Sequence, residues 1–186
     1  MGVVVEQGPA TEPVTVERAR DERGLAHNLD DSMLEAKITE AREHIEIVLG
    51  KALITQTWSL YLHEFPDVIE LPGGRVQSIT SITYKDADGV DQTLVASDYD
   101  ADLFSRQPII RPTDKWPDTA DQLNAVKVEY VVGYGDADAV PGGIKAALLL
   151  MVGDAYENRE GQIVGTIRAD NPAVSRLLWP HRAIGA

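Results

Sequence analysis

Three groups of residues in this 186-residue chain have types and spacings that could do chemistry. The first is the glycine-rich run from Val131 to Met151, "VVGYGDADAVPGGIKAALLLM", which reads as strand, loop and apolar helix, the order in which many phosphate-binding sites begin. Its spacing is wrong for phosphate. A dinucleotide fingerprint needs a third glycine where Asp138 stands after Gly133 and Gly135. A Walker loop needs Gly followed by Lys and Ser or Thr, where this chain has Gly143-Ile144-Lys145-Ala146. Asp136 and Asp138 would repel an anion from the helix start.

The second group is Asp86, Asp88 and Asp91 in "KDADGVDQ". Counted from Asp86, the glycine falls at loop position 4 instead of 6, and position 12 is Ser97, so an EF-hand is excluded and a hairpin turn at Asp88-Gly89 is expected. The third is Asp98, Asp100 and Asp102 in "SDYDADLF", three acids on one strand face that suit either acid–base work or plain solvation. His27, His44, His63 and His181 have no metal spacing, and no serine sits in a nucleophile elbow. Zero cysteines remove thiolate metal sites, disulfides and thiol nucleophiles. No catalytic residue, metal ligand or cofactor site is assigned, and the chain is expected not to be an enzyme. Trp58 falls in the apolar parity of its strand and is expected in the core; Trp116 and Trp179, each before a proline, are the aromatic candidates for an interface.

The elements that position these groups follow from periodicity. Residues 1–13 contain Gly, Pro and Glu without a period and read as a mobile arm. A short helix is predicted after Thr15, closed by Gly24. Ser32-Met33-Leu34-Glu35 has capping-box spacing, and Leu34, Ile38, Ala41, Ile45, Val48 and Ala52 then repeat at helical steps, with Gly50 near the end. From Ile54 the period changes to two. Strands are predicted in "ITQTWSLYLHEF", "VIELPG", "SITSITY", "VDQTLV", "YDADLF", "PIIRP" and "AVKVEYVVGYG". Helix returns with Pro141 in its first turn and Ile144, Ala147, Leu148, Met151 and Ala155 on one face, running to about Arg159. "EGQIVGTIRAD" is a loop; Asn171-Pro172 is an N-cap with Pro at N1, and Pro180 stops the short helix "AVSRLLW".

Grouped strands between helices predict an α+β protein: a helical core of two long helices plus short terminal helices, with an inserted antiparallel β-rich subdomain. The expected segments are an arm at 1–13, the first part of the core at 14–53, the β insert at 54–136, and the second part of the core at 137–186.

The net charge of −13 and the isoelectric point near 4.6 disfavour tight binding to nucleic acid or to an anionic membrane. No apolar run is long enough to span a bilayer, and the N-terminus lacks the basic and apolar regions of a secretory signal. Charge is uneven: residues 1–50 carry −6, residues 51–136 carry −7, and residues 137–186 carry none, which fits a C-terminal segment in an interface.

Four segments together resemble the head–tail connector, or adaptor, proteins of long-tailed bacteriophages and gene transfer agents. They are "GKALITQTWSL", "LPGGRVQSITSITYKDADGVDQTL", "VVGYGDADAVPGGIKAALLLMVGDAYENRE" and "AVSRLLWPHR", in the family's order over about residues 14–182. The resemblance implies a structural particle protein, made in the bacterial cytoplasm and located at the head–tail junction of a virion or phage-like particle. About twelve copies would form a head-to-tail ring beneath the portal protein. The far face would meet a head-closure or tail protein, and DNA would pass through the centre without specific binding. Gly133, Gly135, Pro141, Gly142 and Gly143 would then serve backbone turning between the insert and the core helix. The apolar, aromatic and locally neutral Leu177, Leu178, Trp179, His181 and Arg182 are the expected portal interface. The charged "TVERARDERGL" departs from the family pattern, and the arm has no counterpart in it. The alternatives are a virion-associated glycan or cell-wall hydrolase using Asp100 and Asp102, and a monomeric carbohydrate- or receptor-binding module using exposed aromatics such as Trp116.

Overall fold

The computed structural model describes residues 2–22, 31–157 and 171–182. The chain divides into two compact units: a β unit of Met1–Ala10 and Ile54–Tyr134, and a helical unit of Thr11–Leu53 and Gly135–Ala186. The fold is α+β, with an antiparallel β subdomain inserted into a helical core.

In the helical unit, α1 (Val16–Glu22) starts at Thr15, whose hydroxyl accepts the Arg18 amide at 3.1 Å. The predicted stop at Gly24 and the loop 160–170 lie outside the described residues. Helix α2 (Asp31–Leu49) buries Leu34, Ile38, Ala41, Ile45 and Leu49. Two local expectations are corrected here. Ser32 lies inside α2, so it is not the N-cap of a capping box, and Leu49 is buried where Val48 is only half-buried; at about 100° per residue these two flank the stripe on opposite sides, and the sequence period does not choose between them. The end of α2 follows the local chemistry closely. Gly50 has φ +63°, its amide bonds the Ile47 carbonyl at 3.3 Å, and Lys51 N–H reaches back to the Glu46 carbonyl at 3.1 Å, the paired bonds of a Schellman turn. Helix α3 (Gly142–Glu157) packs against α2 and against α4 (Pro172–Leu178). It buries Ile144, Ala147, Leu148 and Val152; Met151, expected on the buried face, is half-buried.

In the β unit, a five-stranded antiparallel sheet has the order β1-β2-β8-β4-β5, from β1 (Gly2–Gln7), β2 (Gln56–Leu62), β8 (Val126–Val132), β4 (Val76–Lys85) and β5 (Asp91–Thr93). A second sheet of three strands, β3-β7-β6, comes from β3 (Ile69–Glu70), β7 (Ile109–Pro112) and β6 (Tyr99–Asp102). The central strand β8 alternates strictly, with Val126, Val128, Tyr130 and Val132 buried. Tyr130 satisfies its hydroxyl by donating to the Pro72 carbonyl at 3.1 Å, and burial pushes its pKa upward.

Where the sequence suggests a mobile arm, Gly2–Gln7 is an edge strand. The β-branched run Val3-Val4-Val5 pairs antiparallel with Leu60, Ser59 and Trp58 of β2, and Lys127 meets Glu6 at 3.2 Å. Trp58 is half-buried instead of core. Its indole donates to Gln56 at 2.9 Å, and it lies over Gly73, where a Cβ would come within 2.7 Å of the ring. The predicted hairpin between β4 and β5 is present: Gly89 has φ +79°, and Asp86 accepts the amides of Asp88 and Val90 at 3.1 and 3.0 Å.

Candidate functional site

The C-terminal segment is built from its cap inward. Asn171 accepts the Ala173 amide at 3.0 Å, and its own amide group donates to Asp154 of α3 at 2.8 Å, so one side chain starts α4 and ties it to the neighbouring helix. Pro172 occupies the first helical position, where its missing N–H costs nothing. The α-helix ends at Leu178, ahead of Pro180 as expected, and Trp179–His181 follow as a 3₁₀ turn, which tolerates a proline near its start.

The five residues expected to form an interface divide sharply. Leu178 is only 2% exposed and belongs to the core of its own unit, whereas Trp179 is 63% exposed. Local apolar composition does not separate these neighbours; their helical geometry does, since successive residues point about 100° apart. Arg182 lies over the Trp179 ring, with its guanidinium carbon 5.9 Å from the centroid. Leu177 and His181 are half-buried. His181 is held by its carbonyl, which accepts Lys51 Nζ at 2.7 Å across 130 residues of sequence.

The glycine-rich run separates in the same way. Gly133 and Gly135 have φ +113° and +129°, conformations that favour glycine, and a Cβ at Gly133 would lie 2.3 Å from the Ile54 carbonyl oxygen. Asp136 caps the 3₁₀ turn Ala137–Ala139 by accepting the amides of Asp138 and Ala139, both at 3.1 Å. The Pro141 carbonyl accepts from Ile144 and Lys145 at 3.0 and 3.2 Å, which places Pro141 at the cap of α3 and not within its first turn. Gly142 and Gly143 are helical residues of α3. Gly143 is small for a different reason: a Cβ there would stand 3.2 Å from His181 Nε2 and 3.6 Å from the Leu177 carbonyl. The structure thus brings together Gly143, Leu177 and His181, which the sequence offered as members of two separate groups. Spacing carries no signal for that contact.

The acidic candidates are occupied with structural tasks. Asp100 on β6 faces Arg111 on β7 at 3.4 Å, with both side chains exposed. Asp102 accepts the amides of Phe104 and Ser105, each at 3.0 Å, and the Ser105 hydroxyl; these bonds, the hydroxyl's first, hold its carboxyl below the usual aspartate range. A general acid needs the opposite shift. Trp116 stacks on Phe65 at 4.7 Å, and Phe65 meets Tyr84 edge-on at 5.5 Å, so Trp116 is a packed aromatic and not an open receptor surface. Among the described residues no group of three or more His, Asp or Glu side chains is placed to hold a metal ion. No described helix is long and apolar enough to cross a membrane.

No protein-family model matches this chain, and no curated protein matches it. Solved structures do. A chain from the neck of an empty gene transfer agent (GTA) particle, computed with C6 symmetry, superimposes with a TM-score of 0.83 at 22% identity, covering 100% of this chain and 97% of that one. A chain from the virion of a native gene transfer agent particle gives 0.81 at 22% identity, again over 100% and 97%. A third, from the neck of a native GTA particle computed with C12 symmetry, gives 0.75 at 22% identity over 98% and 97%. The two long helices, the inserted antiparallel sheet and the capped C-terminal helix are therefore the fold of a gene transfer agent neck chain.

Proposed function

We propose that this chain is a structural head–tail connector of a phage-like particle. About twelve copies form a ring beneath the portal, link the capsid to the tail or head-closure protein, and leave a central passage for DNA. The observation that carries this reading is the match of fold over the full length of chains from particle necks, two of them solved with sixfold and twelvefold symmetry.

The chemistry of the surface supports the same role. At −13 per copy, a ring of about twelve carries a large negative charge, so its lumen repels phosphates and lets DNA slide. Repulsion between copies then has to be overcome by apolar and locally complementary contacts. For the portal contact the exposed residue is Trp179, with the half-buried Leu177, His181 and Arg182 at its margin; Leu178 is committed to its own core.

The test is the mass of the portal complex, with the portal taken from the same particle, before and after this 20.3 kDa chain is added. A gain of about twelve copies is expected, lost in Trp179→Ala combined with Arg182→Glu. No gain at concentrations well above micromolar overturns the connector reading.

A further inference from the structure

The loop 103–108 between β6 and β7 is fixed at both ends and presents one apolar side chain to solvent. At its start Asp102 gathers the amides of Phe104 and Ser105 at 3.0 Å. At its end Gln107 donates to Glu70 at 2.6 Å, the Pro108 carbonyl accepts the Leu71 amide at 2.9 Å, and Pro108 is buried. Between these anchors Phe104 is fully exposed, more so than any other large apolar residue described, and Arg106 stands exposed two positions on. A free aromatic on a mobile loop would be unremarkable. One on a loop ordered by this many bonds has already lost the conformational entropy that binding would otherwise cost.

In the helical unit a pocket of about 230 Å³ opens between the chain leading into α1 and the first turns of α2. That volume is below the roughly 300–1,000 Å³ of small-molecule sites, and it suits a single side chain. Val14 and Ile38, both buried, line it with Val16, as do Glu12, whose carboxylate is taken up by Arg42 and Thr39, and the exposed Glu35. An aromatic knob with a cation two residues on fits an apolar socket with one exposed acid, Glu35, on its lining.

We infer that Phe104 of one copy seats in the Val14–Ile38 socket of the next, with Arg106 beside Glu35, as a head-to-tail contact of the ring. Knob and socket are different surfaces of the same chain, so the contact is heterologous, which is the kind that closes a ring. It also places a basic group against an acidic one within an assembly whose copies otherwise repel. The inference rests on the connector reading.

The chain has no cysteine, so single cysteines report one contact at a time. Two variants that keep the knob, Arg106→Cys and Glu35→Cys, are mixed under mild oxidation with the portal present, so that a disulfide between them can form only between copies. A 106–35 cross-link, mapped by mass spectrometry, is the expected result. With it, Phe104→Ala should weaken ring formation at least about 30-fold, and Arg106→Glu should be rescued by Glu35→Arg. Rings that form normally in Phe104→Ala, without the cross-link, overturn the contact and leave the connector reading intact. Absence of any ring from the unmodified chain overturns both. Loss of duplex DNA binding in Phe104→Ala, with no cross-link, overturns the contact and gives the loop to DNA instead.

Discussion

Arg42 and Glu12 meet across 30 residues of sequence, with Arg42 Nε donating to Glu12 Oε2 at 2.9 Å. Arg42 is 6% exposed, and its guanidinium also bonds Glu46 at 2.8 Å, while Glu12 accepts the Thr39 hydroxyl at 2.9 Å. Burial alone would lower the pKa of Arg42, but the two carboxylates outweigh it, and the net direction is upward. Residue 12 lies where the chain passes into the helical unit, so this pair fixes the entry to α1 against the face of α2.

Replacing Arg42 by Met strands two carboxylates that it now neutralises. The expected cost is about 3 kcal/mol, read as a lower urea midpoint for the helical unit. Glu12→Gln keeps an acceptor and should cost about 1 kcal/mol. Equal losses in the two variants would mean that the charge of Glu12 matters as much as that of Arg42.

Gly133→Ala combines a φ of +113° with a Cβ 2.3 Å from the Ile54 carbonyl oxygen. A loss of at least about 3 kcal/mol is expected, against about 1 kcal/mol for Gly89→Ala, whose Cβ would meet nothing within 4 Å. Chemical denaturation of the two variants side by side separates strain plus clash from strain alone.

Leu178→Ala should destabilise the chain by about 2–5 kcal/mol, because it opens a cavity in the helical unit. Trp179→Ala, at an exposed position one residue on, should change stability by no more than about 0.5 kcal/mol. Thermal melts of the isolated chain measure both, and only the second variant is then fit for testing portal binding.

The carboxyl of Asp102 is held below the ordinary aspartate value of 3.8, chiefly by the Ser105 hydroxyl and the amides of Ser105 and Phe104. A depressed folded-state pKa stabilises the turn above the unfolded value, and that contribution is lost as the pH falls through the lower, folded one. The amide signals of Phe104 and Ser105 in an NMR titration should therefore keep their positions down to a midpoint below 3.8. A midpoint at or above it would show that the turn does not form. Ser105→Ala should move the midpoint up.

What the sequence made legible is what local chemistry decides. The Asp88-Gly89 hairpin, the Schellman end of α2 at Gly50 and the Asn171 cap with Pro172 are all set by residues within five positions of one another. The fold class followed from the switch between periods of 3.6 and two. The misses are non-local. Strand β1 looked shapeless because its pairing partners are Trp58 and its neighbours on β2, and Ser32 has no capping role because it lies within α2. At the site, the apolar character of 177–182 was readable, but not that Leu178 turns inward while Trp179 turns out. Phe104 gave no sequence signal at all, since an isolated aromatic beside an aspartate has no period to betray it.

The strand order carries a consequence for synthesis. Strand β1 pairs with a strand some 55 residues downstream, and the central strand of the sheet, β8, is the last of the eight to be made. At about 5–20 residues per second, the valines near the start of the chain wait several seconds after translation before β2 exists, and longer before Val132 joins Gln56 and Val76. The five-stranded sheet therefore closes only when β8 arrives, and the first strand is the part of the nascent chain that waits without a partner until β2 follows it.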